Sequence, residues 1–389
     1  INEILTARLA VWKSLLIMRD IQTLCESTKL FWKQTSGKPL SFPPYDETER
    51  KHNEAKLQEQ LSLMTEDVQE IKALLPAFLD ISWMSKQDQQ QFETCTQKFI
   101  EDAKAFDENL HAEEVFQALR NMWIIWMLEV AFQKPIQYHQ AMFGYSMLYP
   151  YSDNVLDDTL MDKEEKKAFN HWFMRRLHHH TEAFAHPYAN KMHQLVEKIE
   201  HQYAPSNYQD VYQSLYLIQE GQQQSLRQQQ TIPEKDVLEI SIWKGGTSVL
   251  ADGYLIDGHL SDVQQEFCML FGFTLQVADD LQDVVEDDQH HHHTLATICN
   301  KAERKALLEK LWVFLEKVVF THIQDEQVCH FIIKNCREMM LLSVLQTATY
   351  FPTSFVEEIK AAMPLSYECI KELKNKVLMK IKEKQLERG

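Results

Sequence analysis

The chain predicts an all-α fold, and three features carry that expectation. Apolar residues recur with the helical rather than the alternating period along most of its 389 residues. Glycines and prolines are scarce, at 9 and 11, so there are few turn formers to punctuate many short strands. Between positions 236 and 350 there is no proline at all, which leaves room for several unbroken helices.

Taken in order, residues 1–35 read as one or two amphipathic helices. Positions 36–44, SGKPLSFPP, form a clear break. A charged helical segment over 46–75 ends near Pro76. Helices follow over 88–106 and 112–132. Pro135 and Pro150 bracket the next one, which leads into YSDNVLDD. A helix then passes through His171 and Arg176, and Pro187 and Pro205 punctuate the middle. A glycine-containing segment, a long helix through Asp287, a loop with four histidines and two or three more helices complete the chain. The glutamine-rich stretch at 219–230 reads as a solvated helix face. Together these predict one α-helical domain, 1–389, with an N-terminal extension over 1–100 and a helical bundle over 101–389.

Composition narrows the function. Hydrophobic residues make up 44% of the chain, enough for a sizeable core. A formal net charge of −17 argues against a nucleic-acid partner. An anionic substrate would need bridging cations. Seven cysteines without CxxC spacing predict reduced thiols and a cytoplasmic setting. The most apolar run, 122–132, is short and contains Glu129, so no membrane span is expected.

Two acidic motifs stand out. Asp153 and Asp157 are four apart, with Asp158 beside them, and share a helix face. Asp279, Asp283 and Asp287 form a second stripe at the same spacing, with Asp280 adjoining. Like charges so placed destabilise a bare helix, and a bound metal ion reverses that sign. Clustered hard oxygens suit Mg²⁺, which keeps waters and bridges to substrate phosphates. Reading backwards from Asp279, its face carries Leu275, Gly272, Phe271 and Cys268; from Asp157 it carries Ser146, Phe143 and Met142. Both faces turn from apolar to acidic within two turns, the profile of a helix that lines an oily pocket with a metal site at its mouth. Cations at the mouth would stabilise a departing diphosphate, and nearby aromatics such as Tyr149, Trp172, Trp243 and Phe271 could steady a carbocation. Lys244 precedes Gly245 and Gly246, which could break the helix and let backbone and lysine approach a phosphate.

These residues resemble the class I isoprenoid synthase superfamily: prenyl diphosphate synthases, squalene and phytoene synthases, and terpene cyclases. The segment LQVADDLQDVVED ending at Asp287 is similar to the family's second aspartate-rich helix. Asp153 to Asp157 is similar to the first, and the separation of Asp153 from Asp279 is close to the family's usual one. Lys244 with its glycines resembles the lysine helix between the motifs. The resemblance covers roughly residues 110–300. It implies a bundle of antiparallel helices around a central cavity, with three Mg²⁺ ions accompanying a prenyl diphosphate. Asp153, Asp157, Asp279 and Asp283 would be catalytic. Asp158, Asp280 and Asp287 would join them as metal ligands, and Lys244 and Arg227 would contact diphosphate.

No Gly-Gly-Lys-Arg precedes the first motif, and Arg175 and Arg176 lie well beyond it. Without an evident second diphosphate site, the resemblance points to a terpene synthase that cyclises or rearranges one substrate, with a prenyltransferase as the alternative. A di-metal oxidase would need two Glu-x-x-His pairs, and Glu108 to His111 alone fits convincingly. A non-catalytic helical interaction protein remains the remote alternative. The histidine runs at 178–180 and 290–293 read as surface, the second as part of a mobile lid over the site. A homodimer, and weak membrane-surface contact by the basic run at 371–388, are secondary expectations.

Overall fold

The computed structural model describes residues 19–63, 81–157, 161–372 and 375. Every regular element among them is helical: α1 (Ile21–Lys33), α2 (Glu47–Leu63), α3 (Lys86–Phe106), α4 (Ala112–Ala131), α5 (Gln140–Asp157), α6 (Lys163–Leu177), α7 (Ala189–Gln202), α8 (Gln209–Ser225), α9 (Glu234–Asp257), α10 (Asp262–Gln282), α11 (Val284–Gln289), α12 (Lys301–His322), α13 (Glu326–Gln346) and α14 (Thr353–Ala362), with short 3₁₀ turns at Leu226–Gln229 and Ala348–Tyr350. The helix expected before residue 19, the end of the one expected over 46–75, and most of the basic run 371–388 lie outside the described residues. So does Asp158.

The α9–α10 hairpin is the centre of the bundle. Gly258 ends α9 at φ 83°, a left-handed cap that glycine adopts without strain, and its N–H bonds Tyr254 O at 2.8 Å. Ser261 then starts α10 with a reciprocal capping box to Gln264. Helices α8, α4 and α1 pack on α9, while α1, α12 and α13 pack on α10. Helix α1 of the N-terminal extension is thus part of the same core, with Trp32 edge-on to Phe273 and Phe314, both at 5.2 Å. Beyond α9, α5 packs chiefly on α7 and α4.

Three local expectations are corrected. Pro150 does not end its helix: α5 continues to Asp157. It forgoes one backbone bond there, while Tyr151 and Val155 beyond it remain buried and hold the register. Gly245 and Gly246 do not break α9 either. Their missing side chains admit α10: a Cβ on Gly272 would lie 2.2 Å from Gly245 O, and one on Gly245 would lie 2.4 Å from Gly272 O. The long helix through Asp287 is interrupted at Asp283, where α10 hands over to α11. The bonds Asp283 N to Asp279 O and Asp287 N to Asp283 O, both 2.9 Å, nevertheless keep the three aspartates in helical succession.

Among the described residues no helix is long and apolar enough to cross a membrane. Glu129 is fully buried in α4 and burial pushes its carboxyl up to about 8. All seven cysteines are free thiols.

Alanine in mid-helix ordinarily stabilises by about 1 kcal/mol over glycine. At Gly272 the backbone of α9 reverses that sign, because overpacking costs ~1–3 kcal/mol. Chemical denaturation of Gly272→Ala should show a net loss of stability; an unchanged or raised midpoint would contradict the close crossing.

Candidate functional site

The Gly245–Gly272 contact brings the residues beside it together. Lys244 sits one position before Gly245, and Gln276, Asp279 and Asp280 follow Gly272 by one to two turns. With Asp283 and Asp287 they line one small cavity of about 80 Å³. Ser241 of α9, Ser225 at the end of α8, Gln228 of the 3₁₀ turn after it, and His292 and Thr294 of the loop after α11 complete the wall, so every lining side chain is polar.

Electrostatic strain is concentrated here. Asp280 is buried, and burial pushes its carboxyl up to about 7, although Gln276 Nε2 donates to its Oδ1 at 2.8 Å and Lys244 lies near enough to oppose the shift. Asp283 is raised by burial first, and then by Asp279 and Asp287; Arg120 of α4 pulls the other way. Asp280 Oδ2 and Ser241 Oγ are buried without a hydrogen-bond partner among the described residues. Lys244 has no ion-pair partner there either. A wall with orphaned oxygens, repelling carboxylates and one unpaired ammonium is built to receive charge of both signs.

Asp153 and Asp157 lie in the last turns of α5; their side chains are outside the description. Ser152, just before them, lines a second small pocket with Phe169, Asn170, Phe173, Gln219, Gln222, Gln223 and Leu226. Leu226 adjoins Ser225 of the acidic cavity, so the end of α8 borders both pockets. The glutamine stretch is largely the solvated face expected, with Glu220, Gln223, Gln229 and Gln230 exposed, but Gln219 and Gln222 line the second pocket and Gln228 the acidic cavity. Its spacing at 219, 222, 223 and 226 is a one-face pattern, a signal present in the sequence. Arg120 carried no such signal.

Other expected residues are placed elsewhere. Arg227 is not in the cavity wall and pairs with Asp236 at 3.0 Å. Arg176 is buried against Glu200 through two bonds of 2.7 Å, and Arg175 pairs with Glu182. The loop after the second motif is tied down rather than free. His293 N donates to Gln228 O at 2.8 Å, Gln228 Nε2 donates back to His293 O at 3.1 Å, and His292 Nδ1 lies 3.5 Å from Asp287. In the first run, His178 stacks on Tyr216 and His179 Nδ1 meets Glu200 at 2.9 Å. The apolar face behind Asp279 is covered rather than open: Gly272 meets α9, and Phe271 stacks on Phe267 at 5.3 Å.

Among the described residues, no three His, Cys, Asp or Glu side chains are grouped closely enough to hold a metal ion alone. The donor set still suits Mg²⁺, which takes one or two carboxylates and completes its shell with water and phosphate oxygens. No family model, no curated protein and no solved structure matches this chain.

Because both carboxyls are raised, the folded chain retains protons that the unfolded chain releases above about pH 4. Stability from these groups is present at low pH and is lost as pH rises towards 7. Without divalent cations, Asp280→Asn and Asp283→Asn should each raise the melting temperature at pH 8 by a few degrees and change it little at pH 4. An equal effect at both pH values would remove the electrostatic explanation.

Proposed function

We propose that this chain is a Mg²⁺-dependent enzyme of the class I terpene synthase type, which ionises a prenyl diphosphate and lets the carbocation cyclise or rearrange. The observation that carries this reading is the shared cavity of Lys244 with Asp279, Asp280, Asp283 and Asp287. The resemblance in sequence supplies the substrate class, and the polar wall agrees with a diphosphate head rather than a hydrocarbon.

In this reading Lys244 pairs with the diphosphate, since its ammonium is not already committed to a carboxylate. Asp279, Asp283 and Asp287 would hold the cations, and Gln276 holds Asp280 in place. Mg²⁺, when bound, neutralises the leaving group. The C1–O bond breaks with its electron pair on the diphosphate. Ser225, Gln228 and Thr294 bond the outer phosphate oxygens and limit water at the mouth.

The D-D-x-x-D form of the second motif favours chain elongation as a second reading. Against it, Arg175 and Arg176 are engaged by Glu182 and Glu200, whereas a second diphosphate needs free cations. A non-catalytic interaction protein would leave a strained acidic cavity unexplained.

Pyrophosphate release from prenyl diphosphates of ten to twenty-five carbons should require Mg²⁺ and stop with EDTA. Asp279→Ala and Asp283→Ala should lower it by about a hundredfold or more. Lys244→Ala should raise KM about tenfold, the effect of one charge-assisted contact, while the protein stays folded. Longer diphosphates formed only with isopentenyl diphosphate would establish the second reading. Absence of pyrophosphate with every substrate would refute both.

A further inference from the structure

Beyond Asp287 the chain returns to the acidic cavity through His292 and Thr294. The segment that carries them, 290–300, contains no regular helix, and α11 before it is only six residues long. So short a helix does not hold its own orientation. The ties that place this segment come from outside it.

Two residues beyond the cavity hold its ends. Arg304 of α12 donates from Nε to Ala296 O at 2.8 Å, and its other nitrogens donate to Cys299 O and Tyr350 O. Tyr350 belongs to the 3₁₀ turn after α13. Its ring faces the Arg304 guanidinium at 5.2 Å, and its hydroxyl donates to Asp288 Oδ2 at 2.8 Å. Asp288 is not in the cavity wall, but Asp287 beside it is. The series Arg304–Tyr350–Asp288 thus fastens the chain at 288 and at 296–299, on either side of His292 and Thr294.

Helix formation does not account for Arg304. Asn300 already caps α12, accepting from Ala302 N at 2.9 Å and Glu303 N at 3.1 Å, and Glu303 Oε2 accepts in return from Asn300 N. A cation so near a helix N-terminus gains nothing from the helix dipole. Arg304 is also buried, which lowers its pKa, and it has no carboxylate in ion-pair contact among the described residues. An apolar side chain would avoid the cost of burying that charge. What it could not do is bind three carbonyls from separate stretches of chain.

Resting on the function proposed above, we propose that Tyr350 and Arg304 are positioning residues for the acidic cavity. They fix Asp287 and the 292–294 wall, so that α12 and the turn after α13 set the affinity of the site for Mg²⁺ and diphosphate, together with the α9–α10 hairpin.

The test is a Mg²⁺ titration of the full chain with inorganic pyrophosphate, read as the rise in melting temperature. Tyr350→Phe keeps the ring against Arg304 and removes only an exposed hydroxyl. Its melting temperature in EDTA should stay within about a degree of wild type, while the half-effective Mg²⁺ concentration rises about fivefold, the net worth of one hydrogen bond. Asp288→Asn keeps an oxygen for the hydroxyl and should titrate near wild type, whereas Asp288→Ala should match Tyr350→Phe. A Tyr350→Phe protein that titrates like wild type overturns the positioning role and leaves the proposed function intact. So does equal weakening by Asp288→Asn and Asp288→Ala, which would mark Asp288 as a bare charge. No Mg²⁺-dependent rise in the wild-type chain overturns both.

Discussion

The contact between Gly245 and Gly272 is the constraint on which the rest depends. Packed helices ordinarily stand 8–10 Å apart, the distance being set by the side chains between them. Here the chain places glycine on both sides, and the backbones themselves touch. Each mid-helix glycine costs about 1 kcal/mol relative to alanine. The closeness positions Lys244 beside Gln276 and Asp280, because side chains adjoining a crossing must share what space remains. Helices α1, α4, α8, α12 and α13 then pack around the hairpin, so its geometry propagates outward.

The second organising feature is unbalanced charge. The chain carries −17 overall, and its aspartates crowd around one cavity with Lys244 and the nearby Arg120 as the opposing charges. Elsewhere buried charge is matched. Arg176 meets Glu200 through two bonds, and Arg304 bonds the carbonyls of Ala296, Tyr350 and Cys299. Glu129, Asp252 and Asp280 are exceptions among the described residues, each buried with an unsatisfied oxygen. Of these three acids, Asp280 alone lines the acidic cavity.

Parts of this were legible in the sequence and parts were not, for physical reasons. The aspartate stripe and Lys244 could be read because spacing on a single helix is a local property. The glutamine stretch was read as solvent-facing and most of it is; that Gln219, Gln222 and Gln228 also line pockets was not legible, because hydrophilic side chains at helical spacing suit water and a polar cavity equally well. Arg227 resembled a phosphate contact until Asp236 proved near enough to pair with it. The two glycines looked like a break because isolated propensity disfavours them in helices. Packing against α10 overrides that preference.

What the sequence alone determined is the helical class, the order and approximate ends of most helices, the acidic stripe and its lysine. All of these follow from the 3.6-residue period and local turn chemistry, which a chain carries wherever it goes. What only the tertiary structure decided is which of these features share a space. Asn121 and Asp252 stand 131 positions apart and meet at 3.1 Å, and Gln228 and His293 close on each other across 65. No local pattern encodes such pairs. They exist because helix crossings, set by the sizes of side chains on both partners, choose one three-dimensional neighbour for each residue from the whole chain.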